Sequence, residues 1–273
     1  MRCRLLLWLS ALGTLATHSI ALADDAALRQ ALRAPGRATA SIARDTARHP
    51  LQELSFFGVG PNSNVVEIWP GRGYWTEILA PLLYASGTYR LALAPADGGA
   101  MDRLHAGEET APIRAKLRSD PTAYSHIILT RLGAGHDVLA PPGTVDAVLT
   151  FRNLHDWLNQ GDAPEMLSAI HDALKPNGIL GIEDHRGSDA QPQDPKAASG
   201  YVRQDFAVSL IEHSGFELVG SSEMNANPRD TKDWPAGVWT LPPTLARVAI
   251  DRTKYIVIGE ADNFVLKFRR VDR

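Results

Sequence analysis

Apolar positions along this chain change their spacing near residue 60. From Asp24 to Gly58 they recur about every three or four positions, punctuated by Pro35, Gly36 and Pro50, which predicts helices. Beyond that point, apolar runs of strand length fall at Val65–Trp69, Tyr89–Ala94, His126–Leu132, Val145–Phe151, Gly178–Glu183, Phe216–Ser221 and Asn263–Phe268. Helical spacing fills Tyr74–Tyr84, Met101–Arg118, Ala163–Leu174 and Tyr201–His213. Strands alternating with helices predict an α/β domain with a mostly parallel sheet. Runs such as Val145–Phe151 are almost continuously apolar, as expected of strands covered by helices on both faces. Two polar stretches, Gly187–Gly200 and Asn225–Pro243, read as long loops, and Trp234 and Trp239 give the second something to pack with.

The first residues follow a different pattern. Arg2 and Arg4 precede an apolar run from Leu5 to Ala16, and Ala21-Leu22-Ala23 offers small residues before Asp24. That order predicts a secretory signal peptide over residues 1–23, cleaved after Ala23, and so a periplasmic or secreted protein. An uncleaved anchor is the other reading, although the run is shorter than the ~20 residues that span a bilayer. The expected organisation is therefore a signal at 1–23, a helical extension at 24–60 and an α/β domain at 61–273, with no membrane span after cleavage.

Charge narrows the partners. Cleavage removes Arg2 and Arg4 from 28 basic residues and leaves 26 against 31 acidic ones, a net charge of −5. No Lys/Arg cluster is dense enough for a nucleic-acid partner, which leaves a small-molecule substrate as the expectation. The single cysteine, Cys3, falls within the signal. The mature chain would then have neither a disulfide nor a thiolate nucleophile. The sequence assigns no oligomeric state.

Ligands of open α/β sheets bind at the carboxyl ends of the strands. The first such end is Trp69-Pro70-Gly71-Arg72-Gly73, where glycines let the backbone turn sharply and approach a ligand. N–H groups at the following helix start would favour an anionic group. A tight turn with no ligand is the alternative. The fourth and fifth strands end in Phe151-Arg152-Asn153-Leu154-His155-Asp156-Trp157 and Glu183-Asp184-His185-Arg186. Each sets a histidine beside an aspartate, a pairing suited to general acid–base chemistry or simply to loop hydrogen bonds. Neighbouring strands would also bring His155, Asp156, Asp184 and His185 within reach of one cation, but their spacing matches no metal motif, so no metal is assigned.

VVEIWPGRGYWTEILAPLL, VDAVLTFRNLHDW, ALKPNGILGIEDH and SGFELVGSSE, in this order, resemble the successive signatures of the class I methyltransferase superfamily, which uses S-adenosylmethionine. The resemblance runs from about Val65 to Phe268. The WPG turn, the segment ARDTARHPLQELSFFG ahead of it and the late GVWTLPP resemble an exported bacterial branch of predicted methyltransferases. The resemblance implies a Rossmann-like fold. It also implies Glu67 as the acid of the first motif, Gly71 and Gly73 beside the methionine part of the cofactor, and Phe151, Arg152 and Asn153 near its adenine or sulfonium. Trp69 stands where the superfamily has its first glycine, and Pro70 has no N–H to offer. The acid expected after the second strand, to hold the ribose, is missing, with Asp97 as a late substitute.

The function implied is methyl transfer to a small-molecule acceptor, with His155 as base and His185 and Arg186 placing the substrate. Trp69 and Pro70 would lie in the cofactor contact, the indole either blocking the cofactor or facing its sulfonium. Tyr201, Trp234 and Trp239 would close over the site. The alternatives are an inactive small-ligand-binding protein on the same fold and a metal-dependent hydrolase using the His/Asp pairs.

Overall fold

The computed structural model describes residues 24–246 and 251–272; the expected signal peptide lies outside the described residues. After helix α1 (24–32) come two short helices, α2 (Thr39–Ile42) and α3 (Asp45–Arg48), and then α4 (Pro50–Phe57). The alternating part follows as β1 (Asn64–Ile68), α5 (Thr76–Leu83), β2 (Thr88–Leu93), α6 (Ala100–Ser119), α7 (Pro121–Tyr124), β3 (Ile128–Arg131) and β4 (Val145–Phe151). It continues as α8 (Leu154–Gln160), α9 (Ala163–Ala173), β5 (Leu174–His185), α10 (Gln204–His213) and β6 (Phe216–Ser222). It ends with the short β7 (Pro235–Val238), α11 (Arg252–Ile258) and β8 (Asn263–Arg270).

Seven strands form one sheet in the order β3-β2-β1-β4-β5-β8-β6. The first five run parallel, and β8 inserts antiparallel between β5 and β6. The order reverses between β1 and β4, which are adjacent, so the chain leaves from the middle of the sheet toward one edge and returns toward the other. A crevice outside the strand ends at such a reversal is where ligands of this architecture bind. The register places Ile68 beside Thr150 and Phe151 beside Glu183, so the ends of β1, β4 and β5 converge.

Side chains of successive strand residues point to opposite faces. Val66, Ile68, Val148, Leu180 and Ile182 enter one core with Trp157, Met166, Leu167 and Ile170. Val65, Leu91, Ala147, Leu149 and Val265 enter the other with Leu54, Phe57, Ile78, Leu79 and Leu83. The N-terminal helices belong to that second core. Phe57 sits over Gly181, where an added Cβ would come within 2.7 Å of its ring. The missing side chain in β5 is therefore what admits α4 to the sheet, and Phe57→Ala would remove about 3–5 kcal/mol of packing.

The differences from the sequence reading lie at strand ends. Residues 154–160, where the sequence predicts no helix, form α8. The helix expected from Tyr201 starts at Gln204, so Tyr201 lies ahead of it, and the second polar stretch carries the short strand β7.

Candidate functional site

The turn after β1 contains two glycines with different duties. Gly73 (φ +81) lies against α6, and an added Cβ would be 3.0 Å from Lys116 Cε and 3.2 Å from Ile113 Cδ1. Gly71 (φ +55) has no described atom within 4 Å of such a Cβ. Trp69 adopts φ 45, a left-handed conformation that glycine takes up without strain. Its indole is only 3% exposed, donates from Nε1 to the Leu132 carbonyl at 2.9 Å, and lies on the His105 ring at 4.5 Å. The edge of Trp157 closes it from another side at 6.2 Å. Pro70 is half-buried next to it.

Glu67 faces helix α5 rather than the turn. Its Oε2 accepts hydrogen bonds from Thr76 Oγ1 at 2.9 Å and from the Tyr89 hydroxyl, and its Oε1 is a buried atom with no partner. Burial outweighs these bonds and pushes its carboxyl up to about 7. Asp97 is exposed, with 76% of its side chain in solvent, and pairs with His136 at 3.3 Å. The buried carboxylate beyond β2 is instead Asp102, which sequence reasoning missed. Its Oδ2 accepts from the Gly99 N–H at 2.6 Å, from Gln160 Nε2 at 3.1 Å and from the Ala134 N–H at 3.4 Å. An acid three residues after a glycine at a helix start is a capping signal, and it is visible in the sequence.

At the end of β4, Phe151 stacks on Trp75 at 4.1 Å and is a core residue. Asn153 ties β4 to β1, its Nδ2 donating to the Ile68 carbonyl at 3.1 Å and to Thr150 Oγ1 at 3.0 Å. Arg152, between them, takes φ 63, and its N–H donates to the Glu183 carbonyl at 2.7 Å.

His155 and His185 come together. The backbone N–H of His155 donates to Asp184 Oδ2 at 2.9 Å, and its Nδ1 to Asp184 Oδ1 at 2.8 Å. Its Nε2 lies 3.4 Å from Asp156 Oδ2, which is also 2.9 Å from His105 Nε2. The ring of His185 is 5.3 Å away, with Nδ1 at 2.7 Å from Asn263 Oδ1. Asn263 uses its Nδ2 to donate to Glu183 Oε1 at 2.9 Å, which fixes the amide's orientation. His185 therefore donates from Nδ1 and keeps the lone pair on Nε2.

Electrostatics separates the two rings. Burial opposes the charge on His155, but the Asp184 and Asp156 carboxylates outweigh it and raise the ring to about 9. Burial dominates at His185, aided by the charges of His155 and Arg152, and lowers it to about 4. Burial likewise opposes the charge of Asp184, yet His155 holds it below the ordinary carboxylate range. One donor atom each from His155, Asp184 and His185 lies within 4.8 Å of the others, the one grouping among the described residues with metal-ligand character. His155 Nδ1 and Asp184 Oδ1 are already engaged with each other at 2.8 Å.

Arg186 reaches away, pairing with Glu223 at 2.6 Å and donating to the Asn263 carbonyl at 3.2 Å. Of the aromatic groups in the late loops, Trp239 approaches His155 at 6.0 Å and Tyr201 approaches His185 at 6.5 Å. Trp234 packs instead on Tyr255 at 5.7 Å and donates from Nε1 to Asp230 at 2.7 Å.

Neither a protein-family model nor a curated protein sequence matches this chain. Solved structures do. A SAM-dependent methyltransferase from Aquifex aeolicus superimposes with a TM-score of 0.54 at 14% identity, over 91% of this chain and 99% of that one. The [4+2]-cyclase SpnF gives 0.54 at 14% identity, over 88% and 86%. A candidate sarcosine dimethylglycine methyltransferase from Galdieria sulphuraria gives 0.52 at 12% identity, over 84% and 85%. The chain has the class I methyltransferase fold.

In that fold, the residues expected to hold S-adenosylmethionine meet it unevenly. Gly71 leaves room among the described residues on one side of the turn. On the other side the Trp69 indole, bonded to Leu132, lies across the ends of β1 and β3, and Asp97 faces solvent. No helix of the described residues is long and apolar enough to cross a membrane.

Proposed function

We propose that the chain is an S-adenosylmethionine-dependent methyltransferase acting on a small-molecule acceptor in the cell envelope. The observation that carries this reading is the unlike pair His155 and His185, set at the ends of β4 and β5 in a methyltransferase fold in which β4 is the neighbour of β1. Bound at that turn, the cofactor would supply an electrophilic methyl group. The chain's own residues hold the acceptor and manage its proton. His185 stays neutral, and its Nε2, without a partner among the described residues, accepts the proton. His155, held as a cation by Asp184 and Asp156, stabilises the negative charge that develops on the acceptor. This gives the base role to His185 rather than to His155, because a ring protonated up to about 9 has no lone pair at neutral pH. Export of the chain, and hence the envelope as its place of action, rests on the signal pattern of residues 1–23.

The seat of Trp69 favours a second reading, a small-ligand-binding protein of methyltransferase fold that transfers no methyl group. The neighbour named as a [4+2]-cyclase supports it as far as reaction type is concerned, since fold alone does not fix chemistry. Incubating the purified chain with labelled S-adenosylmethionine and fractionated envelope metabolites separates the readings. The first expects label in an acceptor, reduced about 100-fold or more by His185→Gln. Turnover that His185→Gln leaves unchanged would remove that ring from the mechanism.

A further inference from the structure

Glu260, just after α11, is surrounded by three guanidinium groups. Arg44 binds it through two bonds, Nε to Oε1 at 2.5 Å and Nη2 to Oε2 at 2.7 Å, the bidentate geometry that satisfies a carboxylate. Arg48 adds a longer bond from Nε to the same Oε2 at 3.3 Å, and Arg152 comes no nearer to it than 3.6 Å. Arg152 also approaches Glu183 Oε2, at 3.8 Å, and its guanidinium makes no hydrogen bond with the described residues.

Arg48 is 5% exposed and lies 4.4 Å over the Tyr74 ring, so it is fixed in place. Arg152 follows β4 in a left-handed conformation, which costs about 1 kcal/mol in a residue other than glycine. Such strain gathers at ligand sites. The two cations are close enough that Arg152, after burial, is the main influence lowering Arg48 to about 9. Arg152 lies three residues before His155, and its N–H is bonded at 2.7 Å to the carbonyl of Glu183, two residues before His185, so it stands at the same strand ends as the histidine pair. The Arg152 guanidinium, with ion pairs at 3.6 and 3.8 Å but no hydrogen bond among the described residues, and that of Arg48, with a single bond at 3.3 Å, keep N–H groups that can donate to an anion.

We infer that Arg48 and Arg152 form a binding site for the carboxylate group of a small organic acid, next to His155 and His185. This deepens the methyltransferase reading and rests on it for the acceptor's role. A carboxylate could come from the acceptor or from the amino-acid end of the methyl donor. The planar fork of each guanidinium suits either and rejects a neutral amide.

Calorimetric titration of the full chain with benzoate and with benzamide, at fixed ionic strength and without methyl donor, tests the site. Benzoate binds at least about tenfold more tightly, the effect of a charge-assisted bond. Arg152→Gln and Arg48→Gln each abolish the preference, Arg152→Lys keeps part of it, and Lys175→Gln, at the exposed pair with Asp146, leaves it intact. Equal binding of benzoate and benzamide to the unaltered chain overturns the proposal, whatever the variants do. So does a preference that survives Arg152→Gln. Titrating S-adenosylmethionine against its decarboxylated form identifies the source: a preference that Arg152→Gln removes assigns the site to the donor, and equal binding of the two forms assigns it to the acceptor. With no methyl donor in the first titration, the carboxylate site and methyl transfer can fail independently.

Discussion

His155 Nδ1 lies 2.8 Å from Asp184 Oδ1, and the same aspartate accepts the His155 backbone N–H through its other oxygen at 2.9 Å. One carboxylate therefore fixes both the start of α8 and the orientation and charge of the ring that α8 carries. The consequence is a pH dependence opposite to that of the neighbouring histidine.

The His155 ring is raised from 6.5 to about 9, so its contribution to stability is complete below 6.5 and disappears as pH climbs through about 9. His185 is lowered from 6.5 to about 4, so its contribution is present above 6.5 and is lost as pH falls toward about 4. Urea midpoints measured across this range should show the stability gap between the unaltered chain and His155→Gln closing at alkaline pH. The gap to His185→Gln should close at acid pH. Asp184→Asn, which leaves a buried imidazole with half its support, should cost about 3–5 kcal/mol near neutrality.

Glu67 behaves differently because its carboxyl is raised from 4.5 to about 7, with burial as the cause. An acid raised on folding favours the folded state at low pH and loses that advantage as pH passes through about 7. Glu67→Gln keeps an acceptor for Thr76 and Tyr89 without the buried charge. Its melting temperature should exceed that of the unaltered chain at about pH 8 and approach it below the ordinary carboxylate value. A loss of stability at alkaline pH would show instead that the charge itself is needed.

The two glycines of the turn can be told apart. Gly73→Ala combines a left-handed φ with contacts at 3.0 and 3.2 Å to Lys116 and Ile113, while Gly71→Ala meets only the conformational cost, about 1 kcal/mol. Thermal denaturation should rank Gly73→Ala as the more damaging. Ligand titration should be more sensitive to Gly71→Ala.

The sheet was legible because its central strands β1 and β4 are nearly continuous apolar runs and helices such as α5 and α9 carry apolar stripes. Helix α8 was not, because His155, Asp156, Asn159 and Gln160 interrupt its apolar side and it begins directly from a strand end. His155 and His185 were visible as polar residues at neighbouring strand ends, but their division into a cation and a neutral ring depends on Asp184 and Asn263, which only folding brings to them. The Arg44–Glu260 pair joins residues 216 positions apart, and no local pattern announces it. Trp69 was conspicuous as a departure from the family, while the direction of its indole followed from Leu132 and His105.

Binding of the methyl donor at this turn, with Trp69 in it, decides between a methyltransferase and a ligand-binding protein of the same fold. Calorimetry of the full chain with S-adenosylmethionine and S-adenosylhomocysteine, repeated with Trp69→Gly, measures that directly. The account predicts heat from both ligands and affinity about tenfold higher in Trp69→Gly, whose glycine opens the ribose side and accepts the same φ. No heat from either ligand with a folded, unaltered chain would contradict it and leave a methyltransferase fold devoted to another small molecule.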